Sequence, residues 1–382
     1  MCTIEEQILH EITEEEKYMR RALELSLKAM GYTSPNPMVG CVIVKNGKII
    51  GEGYHERYGE LHAERNALAN CEESPEGATL YVTLEPCCHY GKTPPCTEAI
   101  IENKIKKVVI ACLDPNPLVA GKGCGILKGC GIEIVTGILE KECRRANEVF
   151  MHYIQTNMPF IATKYAMTLD GKIASYTGDS KWVTGEAARE HVQGLRKRYK
   201  GIMAGIGTVL ADDPLLNCRL ENGIDPVRII CDSKMQIPLE SQIVKTAKEI
   251  PTIVAACRQY ENQEKLAALQ EKNIEVIFSE GEKIDLNWLL LVLGQKKIDS
   301  ILVEGGGKLH ASFLEKGLMN RVYAYIAPKL IGGSDALSPI EGIGIEKMEH
   351  ANKLDEVEIE QLGQDILITG VLKSNKRFSN TL

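Results

Sequence analysis

Four residues in the first quarter of the chain have the types and spacing of a catalytic zinc site. His62 and Glu64 lie two residues apart, and Cys87 and Cys96 follow them. One imidazole and two thiolates supply three ligands, which leave a tetrahedral Zn²⁺ one open position for water. The metal lowers the pKa of that water, and a nearby glutamate that is not a ligand can carry its protons. The four residues therefore predict zinc-dependent hydrolytic chemistry.

The order of these residues is typical of zinc nucleobase deaminases, whose signature is H-x-E followed by P-C-x-x-C. The match is imperfect, because eight residues rather than two separate Cys87 from Cys96. Thirteen cysteines in 382 residues could also be small buried apolar side chains. Burial suffices for Cys71 or Cys112, but it does not account for the prolines that precede both Cys87 and Cys96. We therefore favour a zinc site.

Length and composition limit what the whole chain can be. A chain of 382 residues exceeds the usual single-domain size and indicates two domains. The net charge of −7 gives a nucleic-acid partner no general electrostatic attraction. The acidic start has no apolar segment, and no apolar run has the length of a membrane span. We expect a cytoplasmic protein that binds neither nucleic acid nor membrane and keeps its thiols for metal or packing.

Strands and helices alternate around the zinc motif. Helices are predicted over 13–30, 60–70 and 97–103, the first from a Thr13–Glu16 capping box. Strands are predicted over 39–44, 79–84 and 108–111, with Asn46-Gly47 as a hairpin turn. This order indicates an α/β sandwich with the ligands at helix starts that follow strands. A helix N-terminus favours thiolate over thiol, and Cys96 precedes such a start.

A second α/β pattern begins near Phe160. Its predicted strands cover 161–167, 201–205, 227–231, 252–256, 275–278 and 300–303, with helices over 185–200 and 308–316. The run Glu304-Gly305-Gly306-Gly307 lies between the last strand and the last helix. Glycines there let backbone N–H groups approach a phosphate, although they also suit a plain tight turn. With Gly205-Ile206-Gly207-Thr208 as a second strand-to-loop junction, the pattern suggests a dinucleotide cleft without a Rossmann fingerprint.

Longer motifs in both halves resemble those of bifunctional riboflavin-biosynthesis deaminase–reductases. In the first half these are TSPNPMVG, HAE and EPCCHYGKTPPC, over residues 33–40, 62–64 and 85–96. In the second half they are MTLDGK, SKWVT, VLADDP and VEGG, over residues 167–172, 180–184, 209–214 and 303–306. The resemblance covers nearly the whole chain, and the long gap between Cys87 and Cys96 is itself part of the pattern.

The resemblance implies two domains and two consecutive reactions. A cytidine-deaminase-like α/β/α domain over 13–157 would use zinc to deaminate 2,5-diamino-6-ribosylamino-4(3H)-pyrimidinone 5′-phosphate. A dihydrofolate-reductase-like α/β domain over 158–373 would use NADPH to reduce 5-amino-6-(5-phosphoribosylamino)uracil to the ribitylamino product. The partners would be small pyrimidine ribosyl phosphates, and we expect a homo-oligomer.

The resemblance also assigns site residues. In the deaminase domain, His62, Cys87 and Cys96 would bind zinc, with Glu64 as the acid and base. Its pyrimidine and phosphate contacts would be Asn36, His55, His89 and Lys92. In the reductase domain, the substrate contacts would be Ser180, Arg196, Leu216, Arg219 and Glu304. The cofactor contacts would be Ala166, Trp182, Thr208, Asp212, Ser233, Gly306 and Gly307. Arg196 and Arg219 suit a phosphate because a guanidinium binds it with two hydrogen bonds.

Plainer interpretations stay open beside these assignments. His55 and His89 could be surface or packing residues, Arg196 a helix-surface charge and Trp182 part of the core. The second half could bind a ligand without chemistry, or only position a substrate for the zinc site. The chain as a whole could be a nucleoside or tRNA deaminase with an appended domain, or a zinc-stabilised scaffold. One departure from the family pattern is Cys88, which stands where relatives commonly have serine.

Overall fold

The structure, a computed structural model, describes residues 12–91, 93–116 and 119–372. The chain divides into two compact units, the first ending at Thr156 and the second beginning at Asn157. The expected limits of 13–157 and 158–373 remain predictions, and position 373 lies outside the described residues. Within the described ranges, no helix has both the length and the apolar character needed to cross a membrane.

The first unit is built on a five-stranded sheet in the order β2-β1-β3-β4-β5. Strand β1 pairs antiparallel with β2 and β3, whereas β3, β4 and β5 are parallel. Its strands are β1 (Gly40–Lys45), β2 (Lys48–Tyr54), β3 (Thr79–Leu84), β4 (Lys107–Cys112) and β5 (Glu133–Thr136). Its helices are α1 (Glu14–Leu27), α2 (Ala63–Ala69), α3 (Cys96–Glu102), α4 (Lys122–Gly129), α5 (Glu140–Ala146) and α6 (Glu148–Thr156).

Alternation along the strands places one apolar layer on each side of this sheet. In β3, Leu80 and Val82 belong to one buried cluster, and Tyr81 belongs to the other. Successive side chains of a strand point to opposite faces, so helices must cover both. The predicted capping box is present, because Thr13 accepts from the Glu16 N–H and Glu16 accepts from the Thr13 N–H. The helix ends at Leu27, earlier than the predicted residue 30.

The second unit contains a nine-stranded sheet in the order β10-β9-β8-β7-β11-β6-β12-β14-β13. Neighbours from β10 through β12 are parallel, and β12, β14 and β13 are antiparallel. The strands are β6 (Phe160–Thr168), β7 (Gly201–Gly205), β8 (Val227–Cys231), β9 (Thr252–Cys257), β10 (Ile274–Ser279), β11 (Ser300–Gly305), β12 (Arg321–Ala327), β13 (Leu354–Leu362) and β14 (Asp365–Leu372).

The helices of this unit are α7 (Glu186–Arg198), α8 (Ile206–Asp212), α9 (Gln242–Lys245), α10 (Gln263–Glu271), α11 (Leu286–Gln295) and α12 (Gly307–Glu315). The expected loop after Gly205 is wrong, because α8 begins at the next residue. Buried clusters line both faces of the parallel strands, with Ile229 in one and Ile230 in the other. Because β7, β11 and β6 are adjacent and parallel, their carboxyl ends open onto one cleft, as expected for an open α/β sheet.

Candidate active sites

The three predicted zinc ligands converge at the carboxyl end of β3. The Nδ1 atom of His62 lies 3.4 Å from the Cys87 sulfur and 3.3 Å from the Cys96 sulfur. Ligand atoms around one tetrahedral Zn²⁺ lie roughly 3.4–3.8 Å apart, given Zn–N and Zn–S bonds near 2.0 and 2.3 Å. One imidazole nitrogen and two sulfurs therefore fit a zinc ion, and together they leave the fourth position open.

Local structure explains how the ligands are held. His62 is the N-cap of α2, which begins at Ala63, three residues later than predicted. Cys96 is the first residue of α3, which begins one residue earlier than predicted. The backbone N–H of Cys96 donates to the Cys87 sulfur at 3.3 Å. Hydrogen bonds from the Cys96 thiol and from His62 hold the pKa of Cys87 well below its ordinary value. The thiolate form that zinc requires is thus favoured at Cys87.

Glu64 lies in the first turn of α2 with only 3% of its surface exposed. Burial, followed by the charge of Cys87, raises the pKa of its carboxyl above the ordinary value. A carboxylate with a raised pKa accepts a proton more readily than an exposed glutamate does. Its position beside the ligands matches that of an acid and base that does not itself coordinate the metal.

Two of the predicted pyrimidine contacts, Asn36 and His55, are joined by a hydrogen bond beside the ligand His62. The amide of Asn36 lies 3.1 Å from His55 Nε2, and His55 Nδ1 lies 2.9 Å from the Leu61 carbonyl. The carbonyl can only accept, so Nδ1 carries the proton and Nε2 accepts from Asn36. Burial lowers the pKa of His55, in agreement with this neutral form. Lys92 lies outside the described residues.

His89 has a buried Nδ1 with no hydrogen-bond partner among the described residues. A buried polar atom without a partner marks a position at which a ligand can supply the missing hydrogen bond. Its neighbour in the pattern, Cys88, is partly exposed, and burial raises the pKa of the Cys88 thiol.

Sequence reasoning missed the role of Glu85, the residue before Pro86-Cys87. Its buried carboxylate accepts from the backbone N–H groups of Asp114 at 3.3 Å, Gly121 at 2.9 Å and Cys124 at 3.1 Å. The loop after β3 is thereby tied to the start of α4. The signal in the sequence was an acidic residue directly after an apolar strand. The hydrogen-bond partners of Glu85 lie far along the chain, and only the folded structure brings them to it.

In the second unit, a cleft of about 1150 Å³ opens at the carboxyl ends of β6, β7 and β11. All but one of the predicted reductase residues line it: Ser180, Arg196, Arg219, Glu304, Ala166, Trp182, Thr208, Asp212, Ser233, Gly306 and Gly307. The exception is Leu216, which is buried in an apolar cluster with a positive φ of 51°. The cleft exceeds the usual size of a site for one small ligand, so it can hold a substrate beside a cofactor.

A charged triad lies in the wall of this cleft. Arg196 donates two hydrogen bonds to the Glu304 carboxylate at 2.7 and 3.0 Å, and Lys164 Nζ lies 3.8 Å from the same carboxylate. Burial alone would raise the pKa of Glu304, but Arg196 and Lys164 outweigh burial and lower it to about 2. Burial lowers the pKa of Lys164 despite the partial compensation by Glu304. Two cations beside one anion leave positive charge facing the cleft.

The glycine run at the end of β11 has the backbone shape of a cofactor cradle. A side chain at Gly305 would come within 2.9 Å of Thr208 Oγ1, and one at Gly307 within 2.8 Å of the Ser338 carbonyl. Gly306 has a φ of 79°, a conformation that favours glycine. The free N–H groups at the start of α12 suit phosphate. The glycine run and the start of α12 therefore fit the phosphates of a dinucleotide cofactor.

Trp182 lies at the cleft and is 63% exposed, so the alternative of a core tryptophan is wrong. The guanidinium of Arg189 lies 4.6 Å from the centre of its ring, and Lys329 Nζ donates to its carbonyl at 2.8 Å. Sequence reasoning also missed Lys164. The available signal was a lysine inside the otherwise largely apolar strand β6, because lysine seldom lies in a core strand without a partner.

Comparison with known proteins finds a match for each of the two units. Residues 12–112 match the cytidine and deoxycytidylate deaminase zinc-binding region, and residues 159–368 match the RibD C-terminal domain. The riboflavin biosynthesis protein RibD of Actinobacillus pleuropneumoniae is 51% identical over 359 residues, covering 94% of this chain and 95% of the relative.

Solved structures extend this likeness to the fold. The diaminohydroxyphosphoribosylaminopyrimidine deaminase/5-amino-6-(5-phosphoribosylamino)uracil reductase of Thermotoga maritima has a TM-score of 0.84 at 38% identity, covering 94% of this chain and 99% of that one. RibD of Acinetobacter baumannii has a TM-score of 0.85 at 39% identity, covering 95% and 100%. Both predicted fold classes are confirmed. The chain belongs to the RibD family of riboflavin biosynthesis proteins, which join a zinc-dependent deaminase to an NADPH-dependent reductase.

Proposed function

We propose that the first unit hydrolyses the amino group of 2,5-diamino-6-ribosylamino-4(3H)-pyrimidinone 5′-phosphate. The second unit then reduces the ribosyl group of the resulting 5-amino-6-(5-phosphoribosylamino)uracil to ribityl. The single observation that carries the first step is the convergence of His62, Cys87 and Cys96 beside the buried carboxyl of Glu64. A scaffold site would need no acid or base there, which argues against a purely structural zinc.

In the proposed deamination, Glu64 moves the protons. Zinc held by the three ligands supplies a Lewis acid that activates water. The Glu64 carboxylate takes a proton as the water oxygen bonds to the ring carbon. Glu64 then gives that proton to the amino group as the carbon–nitrogen bond breaks and ammonia leaves. Asn36 and neutral His55 hold the pyrimidine, and His89 Nδ1 offers it a further polar contact.

In the proposed reduction, the cleft positions two ligands and supplies charge. NADPH supplies the hydride. Arg196 and Arg219 provide guanidinium groups for the substrate phosphate, and Glu304 orients Arg196. We assign Lys164 as an ammonium group for the reacting ribose, because it lines the cleft and its Nζ lies 3.8 Å from the Glu304 carboxylate. Thr208, Ser233 and the Gly306-Gly307 turn hold the cofactor.

The test of both reactions is one assay of the purified chain with the diaminopyrimidine phosphate. We expect ammonia release without NADPH, and consumption of NADPH only when it is added together with this substrate or with the uracil intermediate. NADPH oxidation that needs no pyrimidine, or that accepts dihydrofolate in its place, would refute the reductase assignment.

Removing one ligand should separate zinc-dependent from zinc-independent activity. We expect Cys96→Ser to lower bound zinc from about one ion per chain to a small fraction, because a hydroxyl is a poor zinc ligand. Ammonia release should be lost with the metal, while reduction of the uracil intermediate persists. Elemental analysis and the two activity assays measure this. Cys130→Ser, at an exposed cysteine, is the matched control. A Cys96→Ser protein with full zinc content would contradict the assignment.

The acid stability of the second unit should depend on Glu304. Its folded pKa of about 2 lies below the ordinary value of 4.5, so its contribution to folding is complete above pH 4.5 and is lost as pH falls toward 2. We expect the difference in unfolding free energy between wild type and Glu304→Gln to be constant from pH 5.5 to 7.5 and to shrink below pH 4.5. Both tryptophans lie in this unit, so their fluorescence during urea unfolding reports it.

Glu275→Gln is the control for this pH series, because its ion pair with Lys296 is on the surface. An exposed pair contributes about 0–1 kcal/mol, so little change is expected at any pH. A Glu304→Gln difference that persists unchanged at pH 3 would show that Glu304 is not held ionised by its neighbours.

We also propose a homo-oligomer in the cytoplasm. None of the twelve cysteines of the described residues forms a disulfide, which supports a reducing compartment. Strand β13 is the outermost of its sheet and carries the exposed side chains of Val357 and Ile359. Asp355, Glu356, Glu358 and Glu360 make the strand largely acidic, and the two exposed apolar side chains between them offer a contact for a second copy of the chain. We expect Ile359→Lys to lower the mass measured by light scattering, and an unchanged mass would remove this edge from the proposed interface.

A further inference from the structure

Asn147 lies in a segment that neither matched family region covers, between residues 112 and 159. It is the C-cap of α5 and immediately precedes α6. Only 3% of its surface is exposed. A buried asparagine at a helix end needs partners for both the donor and the acceptor of its amide.

Both partners are on one residue, 109 positions earlier in the chain. Asn147 Oδ1 accepts from the Met38 N–H at 2.8 Å, and Asn147 Nδ2 donates to the Met38 carbonyl at 2.8 Å. The amide thus pairs with the backbone of Met38 as a neighbouring strand would. Removing the Asn147 side chain leaves the part-buried N–H and carbonyl of Met38 without these partners, which favours a shift of the loop.

The loop held in this way carries a proposed substrate contact. Met38 lies two residues after Asn36, whose amide donates to His55. The next residue, Val39, accepts from the His55 N–H at 2.9 Å. The ring of His55 in turn lies 5.4 Å from the ring of His62. One path of direct contacts therefore leads from Asn147 through the loop to a zinc ligand.

We propose that Asn147 is a positioning residue of the deaminase, which sets where the Asn36 amide stands relative to the metal ligands. This inference rests on the proposed deaminase function and adds to it a residue from the segment between the two family regions. The role requires asparagine in particular, because the Met38 backbone needs one donor and one acceptor from the same side chain. Aspartate has the same shape but can only accept, and its charge would face the Met38 carbonyl.

The experiment compares Asn147→Asp and Asn147→Ala with wild type in the full chain. We expect kcat/KM for ammonia release to fall about 10- to 100-fold in both, mainly through a higher KM, since small misplacements of a substrate contact have effects of this size. Zinc content and reduction of the uracil intermediate should not change. Asn70→Ala is the matched control, because Asn70 is also a helix C-cap whose amide bonds a distant carbonyl, that of Glu52.

The outcomes separate this inference from the proposed function. Absence of ammonia release from the wild type refutes the proposed function itself. Active wild type with unchanged KM in both variants overturns the role of Asn147. An Asn147→Asp protein with normal kinetics beside a defective Asn147→Ala protein overturns it too, because the side chain would then only fill space. Loss of zinc or of folded protein, measured by metal analysis and thermal unfolding, in step with the lost activity would make Asn147 a folding residue.

Discussion

Replacing Glu64 with glutamine is expected to lower the rate of ammonia release by about 10²- to 10⁴-fold, the usual contribution of a general acid and base. Glutamine has the same shape as the buried glutamate but cannot carry a proton. The pKa of Glu64 is raised chiefly by burial, so its carboxylate accepts a proton more readily than an exposed glutamate does. The measurement is ammonia release from the diaminopyrimidine phosphate at saturating substrate.

Three controls make the Glu64 result specific. Zinc content should stay at the wild-type level, because the proposed ligands are His62, Cys87 and Cys96. Reduction of the uracil intermediate should also persist, because its proposed site lies in the other unit. Glu72→Gln changes an exposed carboxylate that pairs with Lys48 on the surface and should have no effect. If Glu64→Gln abolished both activities, the two sites could not be independent.

The second large effect is expected at the charged triad of the reductase cleft. Glu304→Ala leaves Arg196 and Lys164 buried without their shared carboxylate. Breaking a buried ion pair on one side is unfavourable by about 3–5 kcal/mol, so we expect local rearrangement of Arg196 in addition to loss of any direct contact. The rate of NADPH oxidation with the uracil intermediate should fall by about 10²-fold or more.

Ammonia release is the internal control for Glu304→Ala, since the first unit does not contain the triad. Glu304→Gln preserves the shape and one acceptor, so it should retain more activity than alanine. If Glu304→Ala reduced the uracil intermediate at the wild-type rate, neither the triad nor Glu304 would take part in the reaction. If Arg196→Ala also reduced the uracil intermediate at the wild-type rate, Arg196 would not be the phosphate contact, and another residue of the cleft would have to provide it.

The proposed zinc site was largely predictable from the sequence because most of its residues lie at the starts of helices, which short motifs indicate. His62 and Glu64 share one helix start, and Cys96 begins another, so their side chains are oriented by local backbone geometry. Strands such as β3 and β7 were predicted to the residue, since a short β-branched or apolar run between turn residues is a local signal.

The reductase cleft was less predictable from local signals. Its residues were assigned through the family resemblance, and the glycine run alone left a plain tight turn open. Strands β12, β13 and β14 went unpredicted, although β12 completes the parallel part of the sheet beside β6. The sheet order β7-β11-β6 brings Thr208, Glu304 and Lys164 to one cleft from three distant segments. The order of strands in a sheet cannot be derived from the spacing of residues along the sequence.

The sequence by itself indicated the chemistry: three proposed zinc ligands, a carboxylate beside them and a glycine run that suits either phosphate or a tight turn. Those features are properties of side chains and short segments, so they can be read along the chain. Only the tertiary structure decided which distant groups support the chemistry. Glu85 reaches the start of α4, Asn147 pairs with Met38, and Lys164 approaches Glu304. Each contact depends on a buried polar group finding its partner, and folding rather than sequence distance brings partners together.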